Sequence, residues 1–394
     1  MSSNLTLRKY SRIFTRPELP YFLIIWSTVF LCALGLTMVL SASTVKSLQE
    51  SGNTYSIFIR QFFFLILGAM ATYWAYRVHG GIWQRIAKIS LSISIVILLL
   101  PFIPNLGKNI NGNRNWIEIL GFTLQPSEFA KFGLILWCAL QLRNIDVSIK
   151  GKNPFIAILP GLVIIEGLIL MERDLGTALL ILLIFAGILF TTGAPIKHFI
   201  IVAALGVIVG GAFIISSSYR VSRFGALFNP FDERYYKFSG WQPAHSIMGL
   251  ASGGLWGSGL GGSKQKWANL AEAHTDFIFS VIGEELGLLG TLLVLALYAA
   301  LIYAMLRVAL KTKDSFSRYA TAGVACWFIV QVGVNIGSVT SIIPVIGVTL
   351  PLISYGGSSL LANLLAIGYV LGVARRTPEI SDGIKANRLR KLNR

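Results

Sequence analysis

The chain is poor in charge. Only 13% of its 394 residues are Asp, Glu, Lys or Arg, against about a quarter in an ordinary soluble domain. Acids are the scarcer sign, 17 against 34 Lys and Arg. Cysteine is nearly absent. Cys32, Cys138 and Cys326 each fall inside an apolar run, which excludes a disulfide framework and a cysteine metal site and leaves buried packing residues. Alternating apolar and polar segments are missing too, which removes a membrane β-barrel.

Hydrophobic residues make up 54% of the chain, and the mean hydropathy is +0.68. They come in repeated runs of about 20, the length that crosses a bilayer as helix. The expected fold is an all-α polytopic membrane protein forming one domain over residues 1–394. Tyr21 to Leu40 is too long for a signal-peptide core and is read as a retained first helix. Ten helices are predicted at roughly 20–41, 57–76, 83–101, 126–143, 154–171, 175–193, 197–216, 276–308, 319–339 and 357–374. An even number places both termini on one side.

The positive-inside rule makes that side cytoplasmic. The segments then assigned to the cytoplasm hold 22 of the 34 Lys and Arg but only five acids: Glu18, Asp146, Asp314, Glu379 and Asp382. They include basic tails at 1–19 and 375–394. The net charge of +17 is therefore a topology signal with anionic-lipid attraction, and nucleic acid is not needed to explain it. One long extracytoplasmic loop, 217–275, separates helices seven and eight. A loop of that length is functional or disordered, and its aromatics favour order.

Four constellations carry possible chemistry. The first is NLAEAHTDFIFSVIGEELG, from Asn269 to Gly287, with Glu272, His274, Thr275, Asp276, Glu284 and Glu285. A carboxylate at the mouth of a membrane helix is costly unless paired, wet or used. Two readings are open for Asp276: a helix N-cap, or a functional acid. Glu284 lies eight residues on, about 12 Å of rise and about 80° of rotation along a helix. Glu284 and Glu285 read as buried, paired groups. The second constellation is Arg114, Trp116, Gln125, Glu128 and Lys131. Glu128 and Lys131 either neutralise each other at i,i+3 or present a cation to a phosphate, and Arg114 lies in a Gly/Asn loop able to bind anions. The third joins Arg220 and Arg223 to Asp232, Glu233, Arg234 and Lys237, most of them readable as a solvated interfacial loop. Asp174, in the short turn MERDLGTA, is a candidate cap for the sixth helix. The fourth is GVTLPLISYGGSSLLAN from Gly347, where Pro351, Gly356 and Gly357 break the helix, as tolerated beside a groove. The GxGxxG-like run from Gly257 lacks a βαβ setting and carries no nucleotide reading.

Together these stretches resemble the SEDS family (shape, elongation, division, sporulation) of polytopic peptidoglycan glycosyltransferases. The matching runs are NGNRNWIEI…LQPSEFAK, RDLGTA, YRVSRFGALFNP, GLWGSGLGGSKQK, EAHTDFIFSVIGEELG and GVTLPLISYGGSSL. They span nearly the whole chain, and TLPLISYGGSSLL with LSAS and SGWQ is similar to the cell-division branch rather than the elongation branch. Ala271, Pro243 and His245 depart from the usual pattern. The resemblance implies an enzyme that joins lipid II into glycan strands, with Asp276 as base. Arg114, Glu128 and Lys131 would face the same outer cavity, with Arg220, Arg223, His274, Thr275, Glu284 and Ser358 as further substrate contacts. It also implies a class B penicillin-binding protein and other divisome membrane proteins as partners, membrane lipids around the chain, and a septal place in the bacterial cytoplasmic membrane.

The chemistry agrees. A sugar on undecaprenyl pyrophosphate has a good leaving group and needs cations around it, and the acceptor hydroxyl needs one base. Paired carboxylates are not required. Mg²⁺ or Mn²⁺ could share the cationic role, but no ligand spacing marks a metal site. Two alternatives remain at this stage: a lipid II flippase, whose polar groups should run through the membrane midplane, and a non-catalytic division scaffold.

Overall fold

The computed structural model describes residues 16–110, 112–119, 121–147, 153–215, 218–267 and 269–392. The basic tail up to residue 15, Lys150, Lys152 and the last two residues lie outside the described residues. All ten expected helices are present: α1 (Leu19–Ser51), α2 (Ser56–Arg77), α3 (Gly80–Leu99), then α4 (Pro126–Val147), α5 (Pro154–Met171), α6 (Leu175–Thr191) and α7 (Ile196–Ile215). In the 217–275 loop lie α8 (Ser218–Phe228), α9 (Glu233–Tyr236) and α10 (Trp241–Ser252), followed by α11 (Ile278–Lys311), α12 (Ser315–Val339), α13 (Gly357–Arg376) and α14 (Pro378–Leu392). Among the described residues, seven helices are long and apolar enough to cross a membrane, and α6 and α7 are shorter apolar helices. The chain is a multi-pass membrane protein.

The Gly/Asn-rich stretch before α4 is ordered as strands rather than loop. Three short strands, β1 (Gly107–Ile110), β2 (Asn113–Ile119) and β3 (Phe122–Leu124), form an antiparallel sheet in the order β1-β2-β3. Ile117 pairs with both Gly107 and Leu124. Gly112 and Gly121, both at positive φ, make the turns. The hydrophobic pattern here is too short and polar to announce strands.

α12 and α13 are the most enclosed spans. α12 packs against α4, α6 and α11, and α13 lies along α2. The outer faces of α1, α2, α3, α7 and the later part of α11 expose Leu, Ile, Val and Phe side chains in rows, as a lipid-facing surface requires.

The eighth predicted helix is broken. Gly287 takes φ 67° and ψ −165°, separating a buried first segment that ends at Glu284 and Glu285 from a longer second one. The glycine-rich loop fills the break. Ser258 N and Gly259 N donate to the carbonyls of Glu284 and Glu285, and Leu288 N donates to Gly254 O. Backbone freed at the break is thus satisfied from within the protein. Glycine is required on both sides: a Cβ on Gly287 would lie 2.4 Å from Gly257 N, and one on Gly257 would lie 2.2 Å from Glu285 O. Gly287→Ala is expected to destabilise the protein by about 2–5 kcal/mol, from a backbone region open almost only to glycine plus overpacking. Thermal unfolding in detergent, with protease nicking of residues 253–262, checks it.

Candidate active site

One large cavity, about 1840 Å³, opens between helix ends on the side of the 217–275 loop. Its polar part is walled by β2, the turn between α5 and α6, α8, the segment before α11 and the segment before α13. Its apolar part continues down between α5, α6 and α7, past Leu162, Leu182, Leu205 and Val209. A polar chamber thus joins an apolar groove.

Asp276 lines the polar chamber. It lies in the irregular stretch just before α11, so Phe277 rather than Asp276 is the residue at the helix cap, and no side chain caps that end. The carboxylate accepts no hydrogen bond from the described residues. It is half-buried, opening onto the cavity, yet protein surrounds it on the other sides. Burial pushes its pKa up to about 7, with the Glu272 charge adding to this and Arg223 opposing it. A carboxyl near 7 is matched to general-base work at neutral pH.

Its neighbours are arranged by charge. Burial opposes ionisation of Glu272, but Lys46, His274 and Thr275 together hold it below the usual carboxylate range. Lys46 Nζ lies 3.2 Å from Glu272 Oε1, and Thr275 Oγ1 donates to Glu272 Oε2 at 2.9 Å. His274 is buried beside Lys46; desolvation first and then that cation push its pKa down to about 4. It is neutral at pH 7, its ring 5.6 Å from that of Tyr355. Across the cavity Asp174 caps α6 through Thr177 N at 2.9 Å and accepts from Asn115 at 2.6 Å and Gln125 at 3.0 Å. Five cations line the same chamber: Arg60, Arg173, Arg220, Arg223 and Lys237. Desolvation, and then the charge of nearby Arg173, lower the pKa of Arg220. Arg223 reaches the carbonyl of Val345 at 3.1 Å. Among the described residues no three His, Cys, Asp or Glu side chains gather as a metal site.

The family profile described as "Cell cycle protein", FtsW/RodA/SpoVE, matches residues 22–379. The chain belongs to this family. Among FtsW/RodA/SpoVE relatives, a "Probable peptidoglycan glycosyltransferase FtsW" of Mycobacterium tuberculosis is 38% identical over 96% of this chain and 72% of its own length. Its namesake in Coxiella burnetii is 38% identical over 90% of this chain and 96% of its own. The "Stage V sporulation protein E" of Bacillus subtilis is 36% identical over 92% and 98%. Thermus thermophilus RodA superposes with a TM-score of 0.66 at 28% identity, over 90% of this chain and 96% of that one. A chain from a structure described as "Structural coordination of polymerization and crosslinking by a peptidoglycan synthase complex" gives 0.70 at 28% identity, over 89% and 98%.

Within this FtsW/RodA/SpoVE fold, Asp276, Thr275, Arg220, Arg223 and Ser358 line the cavity. Ser358 accepts from Gln125 N at 3.2 Å, tying α13 to the start of α4. The remaining contacts that the resemblance implied, Arg114, Glu128, Lys131, His274 and Glu284, do not form its wall. Arg114 is exposed, its amide bound to Glu172 O at 2.9 Å. Glu128 and Lys131 form a buried pair at 2.9 Å. Lys131 donates on to Gln331 at 3.0 Å, and Gln331 to the carbonyl of the cavity residue Thr349 at 3.0 Å. They touch the chamber only through that chain. His274 sits behind Asp276. Glu284 is occupied, accepting from Ser263 Oγ at 2.5 Å and Lys264 N at 2.9 Å; it holds the loop rather than a ligand. His245, one of the departures from the family pattern, is buried against Trp241 and bonded to Gln265 at 2.9 Å.

Arg60, Arg173 and Lys237 were not singled out from the sequence as ligands. Arg60 carried a signal, a lone cation in the first turns of an apolar helix. Arg173 opens the matched run RDLGTA, but its place in the cavity depends on a positive φ of 64° in the α5–α6 turn. Glu172 next to it is buried with neither carboxylate oxygen partnered among the described residues; burial, then Asp174, push its pKa up to about 9.

Proposed function

We propose that this chain is a peptidoglycan glycosyltransferase of the cell-division type, joining lipid II into glycan strands at the outer face of the cytoplasmic membrane. The observation that carries it is the pairing of one raised carboxyl, Asp276, with five cations in a chamber continuous with an apolar groove. The names of the relatives support the same activity.

Asp276 takes the proton of the acceptor's sugar hydroxyl as that oxygen bonds to the donor's anomeric carbon. The bond from that carbon to the pyrophosphate breaks, and the pyrophosphate leaves with the electron pair. Arg60, Arg173, Arg220, Arg223 and Lys237 are placed to stabilise the charge it gains. The groove between α5 and α7 takes the polyprenyl tail. Both termini face the cytoplasm, as the basic segments require. A class B penicillin-binding protein is the partner that cross-links the strands, and the septum is the place of work.

Glu166 is the observation that favours translocation instead, since it lines the groove from within α5. Purified chain, with and without a class B penicillin-binding protein, is to be given lipid II. Glycan strands are the expected product. No strands in either condition, with labelled lipid II crossing proteoliposomes, would establish the flippase.

A further inference from the structure

Asp276 is held by its backbone. Three successive carbonyls in its segment each accept a bond from outside: His274 O from Tyr355 N at 2.9 Å, Thr275 O from Ser354 Oγ at 2.6 Å, and Asp276 O from Asn335 Nδ2 at 2.8 Å. The third donor differs from the others. The same Nδ2 of Asn335 also donates to Val348 O at 2.6 Å, so one amide group holds the acid and the cavity wall together. That wall is close: a Cβ on Gly347 would lie 3.4 Å from Asp276 Oδ2. Gln331, one turn earlier on the same face of α12, fastens the next wall residue, Thr349.

We propose that Asn335 is a positioning residue for glycosyl transfer, its amide stapling the backbone of Asp276 to residues 347–349 and so setting where the carboxylate meets the acceptor hydroxyl. This rests on the reading of Asp276 as the base. With no donor on the carboxylate among the described residues, its place follows from its backbone, and a misplacement of about 1 Å costs about a hundredfold in rate. The residue type suits the task. Both carbonyls need a donor from one small group, and a Lys or Arg there would add a cation that lowers the basicity of Asp276. Asn335 is also an odd choice for stability alone. It is 1% exposed and its Oδ1 has no partner among the described residues, and an orphaned buried acceptor destabilises.

The test compares Asn335→Ala and Asn335→Asp with wild type in the full chain bound to a class B penicillin-binding protein. The aspartate keeps the shape and removes the donor, so it carries the test if the alanine variant does not fold. Rates are taken per folded molecule, well above pH 7, where an added carboxyl nearby does not simply protonate Asp276. The expected result is a kcat about a hundredfold lower with KM for lipid II unchanged, the signature of an interaction made in the transition state. A purely structural role would reduce the folded fraction and leave kcat alone. Folded variants that keep wild-type kcat, or that lose activity through KM, overturn the proposal. Asp276→Asn in the same assay separates the two levels. If it stays active, the base reading falls and the staple with it; if it is dead while the Asn335 variants keep kcat, only the staple falls.

Discussion

Asp276→Asn is expected to lower the polymerisation rate by about 10²–10⁴-fold, the usual contribution of a positioned general base, with folding and the partner complex intact. The amide is isosteric and cannot take the acceptor's proton. The same group sets the pH dependence. Its pKa is raised by burial to about 7, so the active carboxylate fills as pH rises through 7, and the wild-type rate should climb over that range and level off above it. A rate flat from pH 5 to 9 would remove Asp276 from the rate-limiting proton transfer. Stability runs the other way. A carboxyl whose folded pKa lies above its unfolded one binds more protons when folded, so its contribution falls as pH rises between about 4 and 7. Asp276→Asn should therefore unfold at a higher temperature than wild type above pH 7, with the gain shrinking toward pH 5. A helix-capping aspartate would give no such gain, because asparagine caps a helix about as well and losing a charge that suits the helix dipole lowers stability slightly. Unfolding temperature against pH, read beside the rate, separates the two roles in one protein.

Lys266→Ala carries the second large effect, on stability. Lys266 Nζ lies 3.2 Å from Glu285 Oε1, with both side chains nearly or wholly buried. Glu285 also accepts from Ser41 Oγ at 2.7 Å and Ser263 N at 3.3 Å. These bonds fix the outer loop onto α1 and onto the break in α11. Removing the lysine strands a buried carboxylate, which costs about 3–5 kcal/mol. Thermal unfolding in detergent or nanodiscs checks the loss, and limited proteolysis between residues 253 and 266 should show the loop released first. Replacing both members, Lys266→Met with Glu285→Gln, should recover much of the loss, since two uncharged groups leave no buried charge. A single variant with wild-type stability and an undigested loop would mean that Glu284 and the backbone bonds at Ser258 and Gly259 hold the loop without the lysine.

The sequence was readable where physics acts along the chain. Each apolar run became a helix, and seven of these among the described residues are long and apolar enough to cross a membrane, where a segment must satisfy its own backbone. Asp174 was visible as a cap because the cap and the amide it binds are three residues apart. Asp276 stood out because a carboxylate beside an apolar helix is expensive. What could not be read depended on distant segments meeting. The sheet at 107–124 has too little hydrophobic pattern to declare itself, and its turns are set by glycines. The break at Gly287 becomes visible only when Gly257 is seen against it, thirty residues away in sequence.

The chain alone thus determined a multi-pass helical protein of the FtsW/RodA/SpoVE family with one exceptional aspartate, because hydropathy, charge asymmetry and short motifs are local quantities. Tertiary structure decided which charges share a chamber. It brought Arg60, Arg173 and Lys237 into the cavity that Asp276 lines, left Glu128 and Lys131 behind its wall, and used Glu284 and Glu285 to anchor a loop. It also placed the Asn335 amide on the backbone of Asp276 from fifty-nine residues away. A contact of that range is fixed by helix packing, and no periodicity along the chain encodes it.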